Sequence, residues 1–424
     1  MVGLDKRGVN RDVGKIVFIH GADLHLDSPF AGLKNLPGFI IEQLRESSFR
    51  AFQKMIDAAI FHRVDFMLLA GDIYDLENRS LRTQVRFRKE MERLKEHRIP
   101  VYMIHGNHDH LDGSWVHVNL PDNVHVFQSK PEVKPFRKQD GTKVNIYGYS
   151  YPKRHVSERI ITQYKKQDDA DYHIGLLHGN LEGNSEHSPY APFSPNDLAI
   201  QDFNYWALGH IHKRQIVTEY PPAIYPGNIQ GRNRKETGAK GCYLVTIDNG
   251  LTEYHFIETS PIVWDSVKIN INGDREFDEI LNDCWDHLEQ IRSEDQAFLL
   301  ELVLDIENHD NPSLFTEDLL EGLLESLQED EDEKAAFVWP HRVRIENGLL
   351  NTMKSMSENP FLGELFTLAA DFEGMDDALG HLYKHREARK FLEPLSEEEN
   401  AELISDSQRL IMQLFQDDAR KGGS

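Results

Sequence analysis

Five short apolar runs in the first half of the chain each end in side chains able to bind a cation, and this constrains the fold more than any other feature. The run at 16–19 leads to Asp23 and His25, that at 66–70 to Gly71 and Asp72, and that at 101–104 to Gly106, Asn107, His108 and Asp109. The run at 174–177 leads to His178, and that at 205–208 to Gly209, His210 and His212. Runs this short, bounded by turn residues, read as buried strands. In open α/β folds, ligands bind just beyond the carboxyl ends of the strands. Five such ends meeting in one crevice would crowd carboxylates, imidazoles and an amide together. Unpaired buried charge is costly, so the crowd calls for cations. Asp-x-His and His-x-His place both side chains on one side of an extended segment, within reach of one ion. Oxygen and imidazole donors without thiolate suit Mn, Fe or Zn better than Ca or Cu(I).

The rest of the chain fits a layered α/β core followed by something different. Apolar positions at helical spacing over 41–62 and a charged amphipathic pattern over 80–98 alternate with the first strands. Further strands are expected near 144–149, 173–178, 205–208 and 241–246. After about residue 260, strands at 263–272, 297–306 and 337–346 alternate with helices at 275–291 and 313–328, with an acidic, solvated loop at 328–334. From 359 the pattern is helical only. The domains expected are a flexible extension at 1–14, a catalytic domain at 15–262, an α+β cap at 263–348 and a helical region at 349–424.

Charge follows the same division. Residues 1–260 hold 33 Lys+Arg against 32 Asp+Glu, whereas 261–424 hold 14 against 39. The acidic half argues against a protein that coats polyanions generally, but leaves room for a local basic groove. No membrane span is expected, since no window of 18 apolar residues exists. The polar N-terminus does not read as a secretory signal. Two distant cysteines, Cys242 and Cys284, form neither a disulfide framework nor a zinc motif, and a reducing cytoplasm is the default.

Taken in order, the five segments resemble the calcineurin-like metallophosphoesterase pattern D-x-H, G-D, G-N-H-D, H, G-H-x-H. The resemblance implies a layered β-sandwich flanked by helices. It also implies that Asp23, His25 and His212 hold one metal, that Asn107, His178 and His210 hold a second, and that Asp72 bridges them. His108 is implied to donate a proton to the leaving group or to stabilise the transition-state oxygens, with Asp109 orienting its ring. The opening Ala22-Asp-Leu-His-Leu-Asp-Ser-Pro-Phe30 and the segment 225–243 look like those of the SbcD-like DNA repair exonucleases, most like the YhaO-type branch. Some relatives carry His three residues after the bridging Asp; here that position is Asp75, a candidate for the surroundings of the metals.

This resemblance implies a Mn-dependent DNA nuclease, an exonuclease or also an endonuclease, with two divalent ions. The partners it implies are DNA, an SMC-like ABC ATPase and a second copy in a homodimer. No P-loop occurs in the chain, so ATP chemistry would come from another subunit. Arg232, Arg234, Lys235 and Lys240 read either as phosphate contacts or as a solvated loop. Arg79, Arg82, Arg86, Arg88 and Lys89 fit one helix face, and an ordinary soluble surface explains them as well. Phe361, Leu365, Leu368, Leu403, Leu410, Leu414 and Phe415 either pack on their own chain or grip the ATPase. The alternatives to a nuclease are a phosphodiesterase of nucleotides or other small phosphoesters and a metal-binding scaffold without catalysis.

Overall fold

The computed structural model describes residues 14–28, 36–75, 79–113, 118–183, 190–272, 275–307, 316–331, 333–346 and, beyond them, 364–365, 368–369, 372, 374–385 and scattered positions up to 411. The expected extension at 1–14 lies almost wholly outside these residues, as do Phe361, Leu410, Leu414 and Phe415. The chain divides into two compact units. One comprises Met1–Val267, Asp286–Glu301 and Leu324–Arg342; the other comprises Lys268–Trp285, Leu302–Leu323 and Val343–Ser424.

The first unit is a four-layer α/β/β/α sandwich. Its first sheet is built from β1 Ile16–Gly21, β2 Phe66–Ala70, β3 Val101–Ile104, β4 Val124–Val126, β11 Gly241–Asp248 and β12 Leu251–Glu258, in the order β12-β11-β1-β2-β3-β4. The second is built from β5 Glu132–Arg137, β6 Lys143–Gly148, β7 Tyr172–His178, β8 Tyr205–Gly209, β9 Gln215–Glu219 and β10 Pro222–Tyr225, in the order β5-β6-β7-β8-β10-β9. Neighbours β1, β2 and β3 are parallel, as are β6, β7 and β8. The central strands are buried on both faces, which is why they read as unbroken apolar runs rather than alternating ones.

The period of two still shows in what each side chain touches. Ile16, Phe18, Phe66, Leu68, Tyr102 and Ile104 meet Val144, Ile146, Ile174, Leu176, Tyr205 and Ala207 between the sheets. Ile19, Met67, Leu69, Val101 and Met103 point the other way. There they pack on α1 (Gly38–Phe61) and α2 (Leu81–Glu96) through Phe49, Phe52, Met55, Phe87, Met91 and Leu94. The apolar stripe of α1 is thus spent on the core. Trp206, Leu177 and Tyr147 cover the outer face of the second sheet with Ile161, Phe203 and Leu198, the last on the short helix α3 (Pro195–Ile200). Side-chain burial on this scale, at roughly 25 cal/mol per Å² of apolar surface, is the main term holding the layers together.

The arginines of α2 pair with acids of the same chain, and Arg82 does so while 78% exposed. Arg86 forks onto Glu46 of α1 at 2.7 and 3.1 Å and lies 3.7 Å over the Phe49 ring. Arg82 also reaches Glu46, at 3.5 Å, and Arg88 reaches Glu92, at 3.4 Å.

The later elements are α4 (Phe277–Ile291), α5 (Glu317–Gln328) and a sheet of three strands, β13 Ile262–Asn272, β14 Ala297–Glu307 and β15 Val338–Glu346, in that order. The loop after α5 corrects one expectation. Instead of a wholly solvated acidic run, it buries Glu331, which accepts from Arg292 Nη2 at 2.7 Å, Lys334 Nζ at 2.6 Å and the Val338 amide at 2.7 Å. Two cations and an amide offset the cost of burying the carboxylate. No helix among the described residues is long and apolar enough to cross a membrane.

Candidate metal centre

Because β1, β2 and β3 run parallel, their carboxyl ends open on one edge of the first sheet, and β7 and β8 end on the matching edge of the second. The segment after β1 leaves the extended conformation, burying Leu24 and Leu26 in the core while Asp23 and His25 turn to the donor cluster. Its backbone is tied to the loop after β2, Asp23 N to Gly71 O at 3.1 Å and His25 N to Asp72 O at 3.0 Å. Asp23, His25, Asp72 and His210 all have left-handed backbones, with φ of 50°, 40°, 51° and 101°. Each such residue costs on the order of 1 kcal/mol or more, and strain of this kind collects where side chains must be aimed. Gly209 is required for a different reason: a Cβ there would lie 2.0 Å from the Ala70 carbonyl oxygen.

The seven expected ligands come together. His25 Nε2 and His212 Nε2 face each other at 3.0 Å. His178 Nε2 is 2.9 Å from Asn107 Oδ1 and 3.3 Å from Asp72 Oδ2, and His210 Nδ1 is 3.1 Å from the same Asn107 oxygen. Asp23 accepts the His210 amide, and its Oδ1 lies 3.9 Å from His178 Nδ1. Donor atoms of Asp23, His25 and His212 lie within 4.8 Å of one another, as do those of Asp23, Asp72 and His178. Asp23, His25, Asp72 and His178 are essentially without solvent exposure.

The ionisation of this cluster is distorted as crowding requires. Burial raises the Asp23 carboxyl above the usual range, against the pull of His178 and His212. Burial alone would lower His178, but Asp72 and Asp23 outweigh it and push the imidazole up to about 9. Asp72 is the reverse: burial would raise it, and His178, His108 and His25 hold it well below the carboxylate range. His25 is driven well below the imidazole range by burial, then by Arg232, His212 and His108. Its Nδ1 is buried without a hydrogen-bond partner among the described residues.

These observations fit a divalent metal pair. Two imidazole Nε2 atoms at 3.0 Å repel unless a proton or cation lies between them. The facing imidazole nitrogens, two buried carboxylates and an amide oxygen supply oxygen and imidazole donors of the kind borderline divalent ions take. A third group, His25, Asp75 and His108, also clusters within 4.8 Å. Its carboxylate is already engaged by Ser28 Oγ at 2.7 Å, His108 Nδ1 at 2.6 Å and Arg232 Nη1 at 3.3 Å.

His108 sits beside the cluster, with its amide on Asp72 Oδ1 at 2.9 Å. Its ring is held by Asp75, not by Asp109 as expected. Asp109 instead accepts the amides of Gly106 at 2.7 Å and Ile73 at 2.9 Å, and lies 3.0 Å from His105 Nδ1. It shapes the two loops rather than the ring. Burial would lower His108, but the Asp75 bond and the charges of Asp72 and Asp75 raise it above the imidazole range. Asp75 in turn is held at about 2, burial being overcome chiefly by His108.

The 228–240 segment lies against the cluster. Arg232 is mostly buried and reaches Asp75, Ser28 at 3.4 Å and the His212 ring; Arg234 and Lys235 are exposed. Glu236 is not among the residues that the sequence singles out. It accepts from His212 Nδ1 at 2.7 Å, Asn228 Nδ2 at 2.7 Å and the Arg232 amide at 2.7 Å. In sequence it is one more charge in a polar run, and nothing there marks it as buried.

The model of the calcineurin-like phosphoesterase family matches residues 16–214. The metallophosphoesterase YhaO of Bacillus subtilis, itself described as uncharacterized, is 40% identical over 93% of this chain and 97% of its own length. The DNA double-strand break repair protein Mre11 of Thermoplasma acidophilum is 25% identical over 64% of this chain and 73% of its own. Among solved structures, a dimetal phosphatase from Danio rerio superposes over 59% of this chain and all of that one, at 14% identity and a TM-score of 0.34.

Proposed function

The chain belongs to the calcineurin-like phosphoesterase family, and from that premise we propose that it is a manganese-dependent DNA nuclease acting on phosphodiester bonds. As a member of the family it is a metal-dependent phosphoesterase. The observation that carries the reading is the His108 ring held by Asp75, Nδ1 to Oδ1 at 2.6 Å, beside the buried donor cluster. The likeness to a DNA double-strand break repair protein over 64% of the chain supports DNA as the substrate.

In this reading Asp23, His25 and His212 hold one ion, Asn107, His178 and His210 hold the other, and Asp72 is shared. When bound, such a pair supplies positive charge that neutralises a phosphoryl group and makes an attacking water easier to deprotonate. The protein does the rest. The left-handed backbones aim Asp23, His25, Asp72 and His210 inward before substrate arrives. With Nδ1 on Asp75, His108 has Nε2 left to give its proton to the departing oxygen. Arg232 is placed to contact a backbone phosphate, with exposed Arg234 and Lys235 following the strand without reading bases.

The proposed partners are an SMC-like ABC ATPase and a second copy of the chain. Leu368 and Leu403, in the stretch assigned to the ATPase, are 66% and 38% exposed. The reading is tested by incubating the purified chain with linear duplex DNA and Mn, with and without the ATPase. Release of nucleotides that is lost in His108→Ala is expected. Turnover of small phosphodiesters with no DNA cleaved under either condition would replace DNA with a nucleotide substrate.

A further inference from the structure

Glu236 lies outside every ligand position, yet it is mostly buried, at 11% side-chain exposure, and makes three short hydrogen bonds. Its Oε2 takes the Arg232 amide and Asn228 Nδ2, closing the 228–236 loop on itself. Its Oε1 takes His212 Nδ1. The carboxylate already accepts the Arg232 amide and Asn228 Nδ2, and toward His212 Nδ1, 2.7 Å away, it stands as an acceptor too. His212 Nδ1 must therefore carry the hydrogen, which leaves Nε2 with its lone pair facing the cluster. Arg232 Nη2 also approaches His212 Nδ1, but at 3.3 Å against 2.7 Å for the carboxylate. It cannot donate to a nitrogen that is itself donating, and is better seen as a charge 3.7 Å from Glu236.

We propose that Glu236 is a positioning residue for the metal centre: it fixes the tautomer and ring orientation of His212, and so sets the affinity of the ion held with Asp23 and His25. The inference rests on the two-ion reading above. His178 shows the same device with a weaker acceptor, its Nδ1 on the Ala70 carbonyl at 2.9 Å and its Nε2 turned to Asp72 and Asn107. The two histidines are thus oriented by separate groups, and the two ions should respond to separate substitutions. Because Oε2 also closes the loop bearing Arg232, Glu236 ties the metal ligand to the basic segment next to it.

The test is calorimetric titration of the metal-free full chain with Mn, without substrate. Wild type is expected to bind two ions. Glu236→Ala is expected to weaken one of them by about 10–100-fold and leave the other near its wild-type affinity. A denaturant unfolding curve in EDTA checks that the variant folds. If it does not, Glu236→Gln, which keeps one acceptor oxygen and loses the charge, is expected to show the same one-sided loss at the smaller end. Wild-type affinity at both ions, or an equal loss at both, overturns the role of Glu236. A wild-type chain that binds no Mn would instead overturn the two-ion reading itself.

Discussion

His108 Nδ1 lies 2.6 Å from Asp75 Oδ1, while Asp109, its immediate neighbour in the chain, spends both carboxylate oxygens on the amides of Gly106 and Ile73. One aspartate serves the ring and the other serves the loops, so their substitutions should separate. Asp75→Asn is expected to fold normally and to lower kcat. His108→Ala is expected to lower it further, by roughly 10²–10⁴-fold, the usual worth of a positioned proton donor. Asp109→Ala removes a buried acceptor from two backbone donors and is expected to cost about 3 kcal/mol of stability, measured by denaturant unfolding. A normal unfolding curve for Asp109→Ala would contradict this division.

Gly209 gives a second, purely steric expectation. Its missing side chain lets β8 approach the Ala70 carbonyl, and a Cβ would also lie 3.0 Å from His178 Nδ1. Neither neighbour can yield without moving β2 or a ligand. Gly209→Ala is therefore expected to cost about 1–3 kcal/mol by overpacking and to weaken Mn binding at the same time. Both are read from one set of unfolding curves taken with and without Mn. Wild-type behaviour in both would mean the strands part easily.

Acid sensitivity should come partly from His20, which is remote from solvent between Tyr205 Oη at 2.9 Å and the Leu208 carbonyl at 3.2 Å. Burial pushes its imidazole down to about 3, against the Leu208 bond. A folded-state value below the unfolded one means the unfolded chain binds the proton first. The stability this group contributes is complete above about pH 6.5 and is lost as pH falls from there toward 3. The slope approaches about 1.4 kcal/mol per pH unit inside that window. His20→Gln, measured in EDTA at about pH 7.5 and about pH 5, is expected to lose less stability on acidification than the wild type. An equal loss would remove His20 from the account.

Metal removal should loosen the first unit as a whole, because the ions would be the counter-charge for Asp23 and Asp72 and would relieve the facing Nε2 atoms of His25 and His212. Adding Mn at about 100 times its dissociation constant to EDTA-treated protein is expected to restore about 3 kcal/mol, seen as a rise in the thermal midpoint. No shift would indicate a cluster stable without ions.

The ligands are legible in the sequence because chemistry and fold reinforce each other there. Strands buried on both faces read as unbroken apolar runs, and parallel pairing forces their ends onto one edge, so Asp72, Asn107 and His178 can be placed from the sequence alone. The edge strands β5, β9 and β12 are not legible. They are half-exposed, with patterns that a polar loop would share. The partners of the supporting groups are hidden for another reason. Asp75, Asp109 and Glu236 are all single acids in polar runs, and only the loop geometry decides that one holds His108, one holds two amides and one holds His212. Glu331 escapes a sequence reading on the same ground, since burial with Arg292 is a long-range fact.

The account stands on two ions gathered by side chains spread from Asp23 to His212. Anomalous diffraction at the manganese edge, from crystals of the full chain grown with Mn, addresses it directly. Two peaks are expected roughly 3.5–4 Å apart, one among Asp23, His25 and His212 and one among Asn107, His178 and His210, with Asp72 between them. A single peak, or none within reach of these seven residues, would contradict it.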